Sequence, residues 1–172
     1  MLAVLAAAGP AAAADSIRAA EYQVKAAFVC KFGDYVEWPA GARSASDPYR
    51  VGVLGPESIV EEVRRATAST VVWGRPVEIL GPVRGSFSEG LHALFIARGT
   101  STQAAAAAIT AARGQPVLTI TELEQEGETG MINFVVVDDK VRFDIALPLV
   151  VYSGLKISSR LLGVARRVEG KI

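Results

Sequence analysis

Residues 130–162, GMINFVVVDDKVRFDIALPLVVYSGLKISSRLL, constrain the fold more than any other stretch of the chain. Two apolar, β-branched runs flank Asp138-Asp139, so a hairpin with a two-residue turn is the natural reading. That turn sets the register. It places Val136 opposite Val141, Phe134 opposite Phe143 and Ile132 opposite Ile145 on one face, which is apolar enough to require burial. The other face pairs Val135 with Arg142 and Asn133 with Asp144, a polar patch on a hydrophobic ribbon.

Upstream, helical spacing of Val24, Phe28, Phe32, Tyr35 and Val36 predicts an amphipathic helix from Ser16 to Trp38, ended by Pro39 and followed by a small-residue loop from Gly41 to Pro48. A strand at Arg50 to Leu54, a Gly55-Pro56 turn and a helix at Glu57 to Ala68 make a β-α unit. VGVLGP lacks the G-x-G-x-x-G spacing of a nucleotide-binding loop and reads as a plain connection. Val71 to Trp73 and Val77 to Leu80 read as strands around Gly74-Arg75-Pro76, and Gly81 to Gly90 as a polar loop. His92 to Ala97 is a strand, and Thr100 or Ser101 caps an Ala-rich helix that reaches Arg113 and closes at Gly114. Pro116 to Ile120 is a further strand, and Thr121 and Glu124 have capping-box spacing over a short helical turn. After the hairpin, Pro148 starts a short helix ended by Ser153-Gly154, Leu155-Lys156 forms a bend, and a last helix runs from Ser158 with Ile157, Leu161, Leu162, Val164, Ala165 and Val168 on its apolar side. The predicted class is α/β: a single-domain α/β sandwich in which helices flank a mixed sheet and the C-terminal hairpin is followed by helices.

The chain has 172 residues, 51% of them hydrophobic, which suits one domain with a substantial core. Lys plus Arg and Asp plus Glu both number 18, so no global field draws it to nucleic acid. The single cysteine, Cys30, excludes an intramolecular disulfide and a multi-cysteine metal site, and its helical, apolar setting reads as a buried thiol. Residues 1–14 resemble a secretory leader: a short apolar run, then Ala12-Ala13-Ala14 as the cleavage site and Asp15 as the mature start, with residues 15–172 forming the domain. No Lys or Arg precedes Arg18, so the basic end of such a leader is missing. The apolar run is too short to span a bilayer, and nothing later qualifies.

Chemistry is sparse. His92 is the one histidine and sits in an apolar strand, where a core or interface role outweighs that of base or ligand. The acids from Glu122 to Glu128 lack calcium-loop spacing and read as a solvated connection, while Asp138 and Asp139 read as turn residues. No catalytic group, metal site or cofactor is predicted. One constellation stands out: Asn133, Arg142 and Asp144 on one hairpin face, with Lys156, Ser158, Ser159 and Arg160 soon after. Arginine's planar fork with serine hydroxyls and helix amides suits a small anion or a partner's acidic group. The alternative is an internal link, Arg142 to Asp144 or Asn133 to Asp144, holding the hairpin to the last helix.

Seven words in order resemble the YfiR family of small secreted proteins: YVEWP (Tyr35 to Pro39), GRPVEI (Gly74 to Ile79), HALFI (His92 to Ile96), GQPVLTI (Gly114 to Ile120), GMINFV (Gly130 to Val135), KVRFDI (Lys140 to Ile145) and GLKISSRLL (Gly154 to Leu162). The resemblance implies a non-enzymatic periplasmic regulator, dimeric, that binds the periplasmic sensor region of an inner-membrane diguanylate cyclase and represses it, lowering cyclic-di-GMP. It also allows a small ligand, and the alternative function is a periplasmic ligand binder using the constellation above. Tryptophan is enriched at binding hot spots, so Trp38 and Trp73 are the expected anchors for a protein partner. Many members carry a cysteine directly before the strand histidine; here Leu91 stands there and Cys30 has no second cysteine to pair with, so disulfide-based control does not carry over.

Overall fold

Asp138 and Asp139 both adopt left-handed backbone, with φ of 49° and 57°, as the two central residues of a type I′ turn must. The hairpin they close, β7 (Ile132–Val137) and β8 (Lys140–Ala146), has the register the sequence predicts, Val136 with Val141 through Ile132 with Ile145. The apolar face does not stay covered to its end: Phe134 and Phe143 are buried, but Val136 at the tip is 48% exposed.

The computed structural model describes residues 10–42, 47–83, 90–122 and 129–170. The first nine residues of the expected leader, Glu124 of the expected capping box and most of the polar loop between Gly81 and Gly90 lie outside the described residues. In chain order, α1 (Pro10–Gly33), β1 (Val36–Glu37), β2 (Tyr49–Leu54), α2 (Glu57–Thr67), β3 (Val71–Val72) and β4 (Arg75–Leu80) come first. Then follow β5 (Ala93–Ile96), α3 (Thr102–Ala112), β6 (Leu118–Thr121), the hairpin, α4 (Leu147–Tyr152), β9 (Lys156–Ile157), α5 (Ser159–Val164) and β10 (Arg167–Glu169). The main sheet runs in the order β10-β8-β7-β6-β5-β2-β4-β3 and is mixed: β4, β2, β5, β6 and β7 are parallel neighbours, β7 and β8 antiparallel. Helices α1 and α2 cover one face, packing Ala26, Val29, Phe32, Val60 and Val63 on Val51, Val53, Phe95, Ile120 and Phe134. Alternate residues of the same strands, Leu94 and Ile96, point to the opposite face, where Ala105, Ala108 and Ile109 of α3 meet them. Gly52, on that second face, leaves the space that a Leu91 methyl occupies, 2.7 Å from where a Cβ would stand. The α/β sandwich with a mixed sheet is the observed fold.

Four local expectations are corrected. Helix α1 ends at Gly33 rather than Trp38, because Asp34 and Tyr35 turn the chain and the backbone of Val36 and Glu37 pairs with β9. Pro39 therefore acts after the helix has already stopped. Leu155-Lys156 is not a simple bend, since Lys156 belongs to that same two-stranded ribbon. The last helix stops at Val164, and Arg167 to Glu169 adds a parallel strand to the open edge of β8, where Arg166 N–H also donates to Phe143 O at 2.9 Å. Trp73 is a turn residue, not the end of a strand: Val72 pairs with Arg75, which leaves Trp73-Gly74 as the turn.

Candidate interaction surface

Trp73 (φ 53°) and Gly74 (φ 73°) both lie in the left-handed region, as a type I′ turn requires. Glycine adopts this freely, but a bulky side chain there carries about 1–3 kcal/mol of backbone strain. The strain is held by ring contacts: Trp73 meets Trp38 at 5.3 Å, Tyr49 at 5.4 Å and His92 at 5.7 Å. Arg75 stacks its guanidinium 4.6 Å above the ring and donates to Asp47 O at 2.7 Å. Trp38 is half-buried, reaching Tyr49 at 6.2 Å and His92 at 5.8 Å. Trp73 remains 40% exposed and neighbouring Val71 62% exposed, on the strand that ends the sheet. The result is an apolar, aromatic surface at an open sheet edge, backed by a rigid cluster.

Two polar atoms inside this cluster, Trp38 Nε1 and Tyr49 Oη, are buried without a hydrogen-bond partner among the described residues. Burial, then the Cys30 thiol and Asp34, push the Tyr49 hydroxyl far above its ordinary pKa, so it stays protonated. His92 is fully buried and its Nδ1 accepts from Arg50 N–H at 3.2 Å, in keeping with a core histidine. Cys30 is buried too, its thiol pushed up to about 12 by burial first and Asp34 second, and it has no nucleophilic character at neutral pH.

The polar constellation read from the sequence is split by the fold. Phe134 stacks on Phe32 of α1 at 5.9 Å and Phe143 meets the same ring edge-on at 5.1 Å, so Asn133, Arg142 and Asp144 project from the opposite face. There Asn133 Oδ1 accepts from Thr121 Oγ1 at 2.8 Å, tying β7 to β6. Asp144 does not pair with Arg142 or link through Asn133; both its oxygens are taken by the Arg166 guanidinium, with Nε donating at 2.8 Å. Arg166 lies just past α5, so an internal link does fasten the hairpin to the C-terminal segment, through a partner the sequence did not single out. Arg142 is exposed. Lys156 sits opposite Glu37 in the β1-β9 ribbon, and Ser158 N–H donates to Tyr35 O at 2.9 Å. This brings the 154–160 segment beside Trp38 rather than beside Arg142. Ser158 is also the N-cap of α5, its hydroxyl accepting from Leu161 N–H at 3.4 Å, while Ser159 and Arg160 are exposed.

A buried ionic cluster escaped the sequence reading. Glu122, which the sequence places in a solvated connection, is instead 2% exposed, and Lys25 of α1 is 1% exposed. Lys25 Nζ bonds both Glu122 Oε2 and Glu21 Oε1, Tyr22 donates to Glu122 Oε1, and Arg98 N–H donates to the same oxygen at 2.5 Å. Arg98 also reaches Glu21 at 3.1 Å. Lys25 stands on the buried stripe of α1 with Tyr22, Ala26 and Val29, and that position was the available signal. Because every Glu122 oxygen is engaged, the cluster fastens α1 to the end of β6 rather than offering an acid or base. Among the described residues, no group of histidine, cysteine and acidic side chains could hold a metal ion, and no helix is long and apolar enough to cross a membrane.

No curated protein is similar enough to match the chain. A model of the YfiR/HmsC-like family matches residues 22–166, most of the chain, and the protein belongs to that family.

Proposed function

We propose that this protein is a non-catalytic periplasmic regulator that binds the periplasmic sensor region of an inner-membrane diguanylate cyclase and holds it inactive, acting as a homodimer. Family membership supports the coarse reading, because YfiR/HmsC-like proteins act as periplasmic regulators of cyclase signalling. The observation that carries the contact surface is Trp73: a strained, left-handed tryptophan kept 40% exposed at a sheet edge, with Trp38 behind it. Strain of this kind persists where a surface needs the side chain in that place. Repression then follows from differential affinity, since a binder that prefers the inactive sensor shifts its population by that difference alone.

Affinity capture of the protein from residue 15 onward, from detergent-solubilised membranes of its host, tests this reading. The expected result is a membrane protein with a cytoplasmic cyclase domain, recovered by wild type and not by a folded Trp73→Glu variant. The ligand-binder alternative receives less support, because Asn133 and Asp144 are engaged within the chain and the 154–160 segment lies elsewhere.

A further inference from the structure

Two elements carry apolar side chains past the edge of the core, and they leave it in the same direction. On α1, Phe28 packs against Phe134 and Phe143 of the hairpin, with ring centroids at 6.1 and 5.7 Å. One helical turn nearer the N-terminus on that side stands Val24, 45% exposed, and two turns beyond it Ile17, 70% exposed. On the hairpin, one pleat from Phe134 and Phe143 toward the turn, stand Val136, 48% exposed, and its half-buried partner Val141. Both series head for the C-terminal ends of the parallel strands: Lys25 bonds Glu122 just past β6, whereas Gly33 lies against Tyr49 at the start of β2. The helix and the hairpin tip therefore form two apolar walls with nothing of this chain between them among the described residues. From Ala14 to Ala20 no residue of α1 is buried, and helical turns without packing are marginal in water.

Charge selects what covers these walls. Arg18 and Lys31 stand near either end of the exposed stripe of α1, each engaged only in a surface i,i+3 pair. The hairpin tip ends in Asp138 and Asp139, both exposed and without an ion-pair partner among the described residues. Tip against tip would oppose four carboxylates. Tip against helix sets valine on valine and acid on base, so the two walls of one chain complement those of another.

We propose that a second copy of this chain covers this surface, the hairpin tip of each protomer lying on the exposed side of the other's α1 in a two-fold dimer. The proposal rests on the homodimeric part of the function above and supplies its interface. β3, which carries the Trp73 turn, ends the sheet opposite β8 and β10, so a dimer joined at the hairpin leaves both Trp73 edges free for partners.

Sedimentation equilibrium of the purified protein tests this, with Val24→Glu, Val136→Glu and the double variant Asp138→Asn, Asp139→Asn, whose asparagines keep the left-handed turn. All these positions are exposed, and circular dichroism checks that each variant folds. The wild type should be a dimer, and either glutamate should weaken it at least about tenfold. The double variant should weaken it about threefold or more and abolish its salt dependence. Val151→Glu, on exposed α4, should leave the dimer unchanged. A wild type still monomeric at about 100 μM would overturn the homodimer and its interface together. A wild-type dimer that Val24→Glu and Val136→Glu leave intact would overturn the interface alone.

Discussion

Replacing Lys25 by methionine should be among the most damaging single changes away from the partner surface. Lys25 and Glu122 are 1% and 2% exposed, so removing the ammonium leaves a carboxylate in the interior with only Tyr22 and the Arg98 N–H to balance it. Breaking a buried pair from one side typically costs about 3–5 kcal/mol, because the remaining charge stays desolvated. With a urea dependence of about 2 kcal/mol per M, the unfolding midpoint should fall by roughly 1.5–2.5 M. The double variant Lys25→Met, Glu122→Gln removes both charges but keeps an amide oxygen for Tyr22 and Arg98. It should recover to within about 1–2 kcal/mol of wild type. Equilibrium urea denaturation of the four proteins of this cycle measures the coupling. A Lys25→Met protein within about 1 kcal/mol of wild type, or a double variant no better than the single, would refute the argument that charge burial dominates.

Other outcomes follow from the same physics. Trp73→Asn exchanges a strained tryptophan for a residue that tolerates left-handed backbone; relief of strain offsets lost ring contacts, so stability by thermal unfolding should stay within about 2 kcal/mol while partner capture is lost. Ellman's reagent should label Cys30 only as fast as the protein opens. Because the folded thiol titrates near 12 and the unfolded one near 9.0, stability should fall as pH rises through that interval. At the acid end, burial opposes the Glu21 carboxylate, but hydrogen bonds and charge from Lys25 and Arg98 outweigh it and hold its pKa below 4.5. Its contribution is therefore complete above 4.5 and is lost as pH falls through the lower folded value, which acid titration of wild type against Glu21→Gln would register as a shallower slope for the variant.

The hairpin was legible because its pairing is local: a two-residue turn and a period of two fix every partner from Ile132 to Ile145. The β-α units and the Ala-rich helix were legible for the same reason, each being marked by caps, glycines and prolines close in sequence. The short pairings were not. Val36-Glu37, Lys156-Ile157 and Arg167 to Glu169 are two or three residues long and join distant segments, so no periodicity announces them and helical spacing suggested helix or bend instead. The polar constellation looked continuous in sequence, but the ribbon with β1 draws the 154–160 segment to Trp38 and leaves Arg142 on the far face. Lys25 and Glu122 lie 97 residues apart, and nothing local at either position shows that they meet. Gly74 was the one sign that Trp73 sits in a turn, since a type I′ pair favours glycine at its second position.

The central claim is that this protein lowers cyclic-di-GMP by binding a membrane cyclase through the Trp73 edge. The most direct measurement is the intracellular cyclic-di-GMP level of the native host in three strains: chain deleted, complemented with wild type, and complemented with a folded, exported Trp73→Glu variant. The account predicts a rise on deletion, restoration by wild type and no restoration by the variant. An unchanged level on deletion would contradict the repressor reading, and full restoration by Trp73→Glu would contradict the assigned surface.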